Sequence, residues 1–222
     1  AQHKISVVVA NEDYEPYAIA RDEKISKLAG ANNAEFISFK DHVIFAKAEV
    51  SKDDGSPYKV YTPFSRRWLA RFETEKIPTY PSVKLLEEAA GRGRAIDNRS
   101  DVPSLQELGF RPSETPVPDI KIHPSVIKAY AERRDFMAQN ATTKIGVHLR
   151  FGTISVRHAA RLADKNSAVW LKELIWREFF QTILFHFPYT AEQPFDPRFE
   201  KFPWRESHED FERWSAGQTG YP

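Results

Sequence analysis

The stretch that decides the fold is Ser167–Phe187, which reads SAVWLKELIWREFFQTILFHF. Its 3.6-residue periodicity predicts a helix that is apolar nearly all round, and such a helix is normally central in a bundle. Glu173 and Arg177 interrupt it, and a buried charge without a partner costs on the order of several kcal/mol. Either these two residues form an ion pair with each other, or they line a cavity with Trp170 and Phe180. In the second case the two aromatic side chains and the carboxylate would bind a flat heterocycle.

Further helices are predicted around this one. Apolar residues recur at three- and four-residue spacing in His123–Gln139, Ile154–Asp164 and His208–Ala216. The chain from about residue 121 onward is therefore predicted to be mostly α-helical.

The N-terminal segment has a different pattern. Ile5–Ala10 is rich in β-branched residues and is predicted to be a strand buried on both faces. Residues 15–29 are predicted to form a helix with Pro16 in its first turn, and Glu35–Phe39 and Val43–Phe45 two further strands. This order is typical of a parallel sheet, and indicates the tail of an α/β domain.

Residues 48–120 are punctuated by prolines, with short helical pieces near 64–72 and 82–90. That composition predicts a long linker on the surface.

Composition excludes several classes of protein. There are no cysteines, which excludes disulfide and cysteine–zinc frameworks, and we expect no metal site. No apolar run is long enough to predict a transmembrane helix. Residues 121–180 hold 11 basic and 5 acidic residues, although the whole chain has a net charge of only +1. This segment is either a phosphate-attracting surface or a solvated helical face of unequal charge.

Two smaller features allow more than one interpretation. Thr142–Gly146 offers hydroxyls, a lysine and free N–H groups at a helix start, which suits a pyrophosphate but also an ordinary helix cap. Trp204 and Trp214 are either packing residues or members of a redox relay, and their spacing does not decide between the two.

Taken together, these residues resemble the photolyase/cryptochrome family, most closely its class I cyclobutane pyrimidine dimer photolyases. Residues 170–180 (WLKELIWREFF) nearly reproduce the family signature WLxELIWREFF. The other matching stretches, in order, are Asp13–Tyr17 with Arg21-Asp22, Pro57–Phe64 followed by Trp68, Tyr130 with Arg134–Phe136, Thr142–Gly146, Leu149–Arg157, and Trp204, Trp214 and Thr219–Pro222.

The resemblance implies an α/β remnant, the end of a parallel-sheet antenna domain, followed by a mostly α-helical FAD-binding domain, both incomplete. Residues 1–47 would be the C-terminal part of the antenna domain and 48–122 the interdomain linker. Residues 123–222 would be the N-terminal half of the helical FAD- and DNA-binding domain.

It also implies roles for individual residues. The FAD contacts would be Tyr130, Thr142, Thr143, Lys144, Ile145, Gly146 and Trp170, with Gly146 standing where the family often has serine. The residues facing DNA would be Arg134, Glu173, Leu174, Ile175, Trp176, Arg177, Glu178, Phe179 and Phe180. Trp176 would stack on a flipped-out pyrimidine dimer, and Glu173 would hydrogen-bond its base edges. Trp204 would be the outermost tryptophan of an electron-transfer chain.

The implied activity is light-driven repair of pyrimidine dimers in DNA, with reduced FAD as electron donor. The alternatives are a cryptochrome, which signals without repair, and a non-enzymatic helical module that binds nucleic acid without flavin. The resemblance allows an antenna chromophore of the folate or deazaflavin type, and Ala18, where some members have Glu, leaves its identity open. We expect an intracellular, cytoplasmic protein without membrane attachment, monomeric at full length, that binds dimer-containing DNA.

Overall fold

The computed structural model describes residues 5–91, 103–120 and 122–220. Its N-terminal part consists of β1 (Val7–Asn11), α1 (Pro16–Ala31) and β2 (Glu35–Phe39). The two strands pair in parallel from Val7–Glu35 to Asn11–Phe39. Pro16 lies in the first turn of α1, where its missing N–H costs no hydrogen bond. The predicted parallel strand–helix–strand unit is confirmed.

This sheet is less buried than the sequence indicates. The side chains of Val7 and Val9 are exposed, whereas both faces of β1 were expected to be covered. Within the described residues the sheet has two strands, and α1 packs on β2. The prediction that β1 is buried on both faces is therefore wrong, because no element among the described residues covers one face of the strand.

Further helices follow, and three of them pack on a central one. They are α2 (Tyr61–Thr74), α3 (Ser82–Gly91), α4 (Pro124–Arg133), α5 (Gly146–Arg150), α6 (Val156–Asn166), α7 (Ala168–His186) and α8 (His208–Ser215), with 3-10 turns at Pro188–Ala191 and Pro197–Phe199. α7 contacts α2, α4 and α6, which confirms its predicted central position. α4 ends at Arg133, six residues before the predicted end. Tyr221 and Pro222, which end the last matching stretch, lie outside the described residues.

Residues 40–46, called the crossover below, connect the sheet to the helices. The predicted strand Val43–Phe45 is irregular here, although all three side chains are buried. The N–H groups of Ile44 and Phe45 donate to the Glu178 carboxylate at 2.6 and 2.9 Å. A side chain of α7 therefore replaces the neighbouring strand as acceptor, which explains why an apolar, strand-like pattern gave no strand.

Arginines from two helices hold the carbonyl groups of the crossover. Buried Arg157 of α6 donates to the carbonyls of Lys40 and Asp41 at 3.1 and 3.0 Å. Arg177 of α7 donates to the carbonyl of His42 at 2.6 Å. Because most crossover peptide groups lack a secondary-structure partner, these bonds supply the pairing that buried backbone requires.

Part of the segment 48–120, predicted to be a surface linker, lies in the hydrophobic core. Val50, Phe64 and Trp68 are buried in the same cluster as the apolar residues of α7. The Trp68 indole also donates to the Glu178 carboxylate at 2.6 Å. The expectation of a surface linker is wrong around α2, whereas the described residues between 78 and 120 whose side-chain exposure is assigned are exposed.

Across the described ranges, no helix combines the length and the apolar character needed to cross a membrane.

Candidate functional site

A cavity of about 260 Å³ lies between α4, the loop before α5 and the first turns of α7. The seven residues predicted to bind FAD all line it: Tyr130, Thr142, Thr143, Lys144, Ile145, Gly146 and Trp170. Leu149, Glu173, Leu174 and Arg177 complete its wall. Three separate segments of the chain thus converge on one space, which we call the cofactor cavity.

The loop 142–146 has the backbone geometry of an anion site. Lys144 has φ +51°, in the left-handed region that side chains other than glycine seldom adopt, and Ile145 has φ −80° and ψ 4°. Alternation of this kind turns successive N–H groups toward one side and forms a concavity that binds anions. The hydroxyls of Thr142 and Thr143 and the lysine ammonium add further donors. This donor set fits the pyrophosphate of a nucleotide cofactor.

The wall formed by α7 suits a flat ring. Ser167 caps the helix, and its Oγ accepts a hydrogen bond from the Trp170 N–H at 3.3 Å. The cap fixes the helix start, and with it the position of the buried Trp170 side chain on the cavity wall. Ligand pockets commonly measure about 300–1,000 Å³, so the cavity has room for part of a dinucleotide. A Cβ added at Gly146 would meet no atom within 4 Å, so serine would also fit there.

Glu173 pairs with Arg134 and not with Arg177. An Arg134 N–H donates to the Glu173 carboxylate, and the Arg134 guanidinium lies 5.7 Å from the centroid of the Tyr130 ring. Arg177 instead donates to the carbonyl of His42 in the crossover, and burial lowers its pKa. The ion pair within α7 that the sequence allowed does not form. Glu173 is held at the cavity by a partner from the end of α4.

Three aromatic rings, Tyr61, Trp176 and Phe180, form what we call the aromatic stack. The Tyr61 and Trp176 rings lie 3.5 Å apart between centroids and are parallel to within 5°. Phe180 follows at 5.6 Å from Trp176, tilted by 22°. Trp176 is 37% exposed and Phe180 60% exposed, so the stack reaches the surface. Because Glu173 and Trp176 lie three residues apart on α7, the stack and the cavity share one helix.

Sequence reasoning did not identify Tyr61 as a member of this site. The Tyr61 hydroxyl donates to the Lys172 carbonyl at 3.1 Å. Burial and the nearby Glu173 carboxylate raise the pKa of Tyr61 above its ordinary value. The available signal was the spacing of Tyr61, Phe64 and Trp68, which lie on one face of a helix and would have predicted contact with α7.

Four of the residues predicted to face DNA are buried. They are Leu174, Ile175, Glu178 and Phe179. Leu174 lines the cofactor cavity, Glu178 and Phe179 contact α2, and Ile175 belongs to the hydrophobic core. The helical period turns these four side chains toward the core, and their contact with DNA stays a prediction. The exposed or half-exposed members of the predicted surface are Arg134, Glu173, Trp176 and Phe180.

Glu178 is only 1% exposed, although it carries an ionisable group. Burial raises its pKa to about 7, against the opposing effect of the N–H groups of Ile44, Phe45 and Trp68. Its role in this fold is structural, since it joins α7 to the crossover and to α2.

Trp204 is 72% exposed, with its ring 4.8 Å from that of Phe202. Its electron-transfer role stays a prediction. In the described part of the chain, no cluster of His, Cys, Asp and Glu side chains could hold a metal ion.

Two family models match the chain, one at each end. Residues 1–82 match the DNA photolyase model, and residues 170–222 match the FAD binding domain of DNA photolyase. The second match begins at Trp170, on the wall of the cofactor cavity. This chain belongs to the DNA photolyase family. The family predicted from the sequence motifs is confirmed.

Curated relatives match this chain along nearly its whole length. The deoxyribodipyrimidine photo-lyase of Halobacterium salinarum is 32% identical over 238 residues, covering 97% of this chain and 48% of that protein. The deoxyribodipyrimidine photo-lyase of a Synechococcus strain is 30% identical over 245 residues, covering 100% of this chain and 50% of that protein. The chain therefore spans about half the length of the photolyases it matches.

Solved photolyase structures share the fold. A class III photolyase from Agrobacterium tumefaciens matches with a TM-score of 0.72 and 24% identity, over 98% of this chain and 48% of that protein. A photolyase from Sulfolobus tokodaii, solved with two FAD molecules, matches with a TM-score of 0.73 and 24% identity, over 99% of this chain and 48% of that protein. The predicted fold, a short parallel sheet followed by a mostly helical part, is confirmed.

Proposed function

We propose that the full-length protein repairs cyclobutane pyrimidine dimers in DNA, with reduced FAD supplying the light-driven electron. One observation carries the proposal: the cofactor cavity and the aromatic stack lie on the same helix, with Glu173 at the cavity and Trp176 one turn away. The relatives named deoxyribodipyrimidine photo-lyase support the same function.

In this proposal the cofactor cavity binds and orients FAD. The N–H groups and hydroxyls of loop 142–146 would hold the pyrophosphate, and Lys144 would offset its charge. Trp170 would provide an apolar wall for a ring. The residues supply binding and orientation, while the cofactor carries the photochemistry.

The substrate would reach the cavity from the surface of α7. A dimer inside a duplex is out of reach, so it must be flipped out and held by groups that recognise bases. Trp176 offers an aromatic plane, and stacking on one is worth about 1–3 kcal/mol per base. Glu173 offers carboxylate oxygens to the N–H groups of a base edge. Arg134, which now binds Glu173, would shift to a backbone phosphate and leave the carboxylate free.

We assign two further roles on the same basis. The excess of basic residues between 121 and 180 would attract the DNA backbone without reading its sequence. The exposed Trp204 would exchange electrons with reductants in solution. The protein would act as a monomer inside the cell, where its DNA substrate lies.

The test is a repair assay on full-length protein whose flavin has been reduced chemically. An oligonucleotide with one thymine dimer is illuminated, and intact thymines are measured. We expect repair by the unaltered protein and a strong loss in Trp176→Leu. The control variant Phe151→Leu removes an exposed aromatic ring that does not line the cavity, and should repair normally.

Two results would contradict the proposal. A protein that binds FAD and dimer DNA but repairs nothing would be of the cryptochrome type. A protein that binds DNA with no flavin would be a nucleic-acid-binding module.

A further inference from the structure

We propose that Tyr61 is the positioning residue for Trp176: by covering one face of the indole it holds the ring in the orientation that a flipped-out pyrimidine dimer requires. The inference rests on the proposed function and goes beyond it, because it assigns a role in lesion selectivity to a residue of α2, outside the cavity and outside α7.

Tyr61 itself has little freedom to move. Its hydroxyl donates to the Lys172 carbonyl at 3.1 Å, which anchors the tip of the side chain on the backbone of α7. Seven residues further along the same face of α2, the Trp68 indole donates to Glu178 at 2.6 Å. Two hydrogen bonds, two helical turns apart, therefore fix the register of α2 against α7.

Tyr61 and Phe179 together restrict the orientation of the Trp176 ring. The parallel contact at 3.5 Å covers one indole face, and Phe179 meets both rings in edge-on geometry at 5.8 and 5.9 Å from Trp176 and Tyr61. A tryptophan on an exposed helix surface would otherwise sample several rotamers. Ordering such a side chain on binding costs about 0.5–1.5 kcal/mol, and Tyr61 removes that cost beforehand.

The same arrangement limits where a ligand binds. With one face occupied by Tyr61, a base can stack only on the part of the indole that is left. Phe180 is also stacked on the indole, offset at 5.6 Å between centroids, so the available surface is the part of the ring that neither Tyr61 nor Phe180 covers. Tyr61 therefore contributes to lesion binding without touching the lesion.

The experiment compares the affinities of the full-length holoprotein for two oligonucleotides, one with a single thymine dimer and one undamaged. Tyr61→Leu removes the ring, whereas Tyr61→Phe keeps it and deletes only the hydroxyl. Tyr17→Leu is the matched control, since Tyr17 is exposed on α1. If the leucine variant does not fold, Tyr61→Met supplies the same comparison with a more adaptable apolar side chain.

Without Tyr61 the Trp176 ring must be ordered on binding, at a cost of about 0.5–1.5 kcal/mol, so Tyr61→Leu should weaken binding to the dimer oligonucleotide about two- to twelvefold. Binding to undamaged DNA and flavin content should be unchanged, and Tyr61→Phe should restore most of the selectivity. Adding Tyr61→Leu to Trp176→Leu should cause no further loss, because contacting residues act as a coupled pair.

Equal loss on both oligonucleotides, or none on either, overturns the role of Tyr61. If Trp176→Leu reduces selectivity and neither Tyr61→Leu nor Tyr61→Met does, the Tyr61 assignment alone fails. If Trp176→Leu keeps full selectivity, Trp176 does not contact the lesion and the Tyr61 assignment fails with it. If the unaltered protein binds both oligonucleotides equally well, the proposed function itself is contradicted.

Discussion

Replacing Glu178 by glutamine tests whether burial or hydrogen bonding governs the pKa of this carboxyl group. Its Oε1 accepts from the Phe45 N–H and the Trp68 indole, and its Oε2 from the Ile44 N–H. A glutamine amide keeps the first oxygen but turns an NH2 group, which accepts nothing, toward the Ile44 N–H. Leaving one buried donor unpaired costs about 1–3 kcal/mol.

The pH dependence follows from the direction of the pKa shift. Burial raises the pKa of Glu178 from 4.5 to about 7, so the folded state favours the neutral carboxyl group. The stability that this preference contributes is complete below pH 4.5 and is lost as the pH rises through about 7. The loss amounts to about 3 kcal/mol, and the glutamine variant does not suffer it.

The unpaired donor in the variant and the pH-dependent loss in the unaltered protein together predict that their melting temperatures converge as the pH rises. At pH 5 the Glu178→Gln variant should melt about 2–4 °C below the unaltered protein, for a cost near 2 kcal/mol. At pH 8.5 the difference should vanish or reverse. Glu200→Gln, at an exposed position, removes the same charge and should change neither value. Thermal unfolding of the full-length protein at both pH values is the assay. If the deficit of Glu178→Gln grows with pH, the three N–H donors outweigh burial, and the reasoning is wrong.

Three further substitutions test the site. Gly146→Ser should change the free energy of unfolding by no more than about 0.5 kcal/mol and keep or tighten flavin binding; a large loss of affinity in a flavin titration would contradict the open space seen there. Trp204→Phe should abolish most light-driven reduction of oxidised flavin but spare repair by chemically reduced enzyme, and photoreduction at the normal rate would make Trp204 a packing residue. Arg134→Ala should weaken binding to damaged and undamaged DNA alike and lower the salt slope by about 1, whereas a loss confined to damaged DNA would contradict a phosphate contact.

The helical core and the cofactor cavity were predictable because their signals are local. The apolar period of residues 167–187 predicts a central helix whatever surrounds it. The cavity residues were found through motifs rather than geometry, since no spacing rule brings Tyr130, Thr143 and Trp170 to one space. Their convergence depends on how α4 and α7 pack, which a linear pattern does not encode.

The errors have one physical origin, namely partners distant in sequence. Val43–Phe45 has a strand pattern, but its N–H groups are bound by a residue more than 130 positions away. For Glu178 the information was present: it shares the inward face of α7 with Leu171, Leu174 and Ile175. Glu178 was assigned to the DNA-facing surface because it belongs to the motif 170–180, and the helical period should have been given more weight.

The crossover has a consequence for which substitutions this chain tolerates. Arg157, Arg177 and Glu178 bind it through carbonyl and N–H groups, which every residue type except proline presents in the same way. The Asp41 side chain adds an ion pair with Arg157, at 3.8 Å, to these backbone contacts. A change in any one of the three helical side chains would release buried peptide groups at once. The backbone of the junction is therefore held by side chains of α6 and α7, while its own buried side chains, Val43–Phe45, contribute by packing.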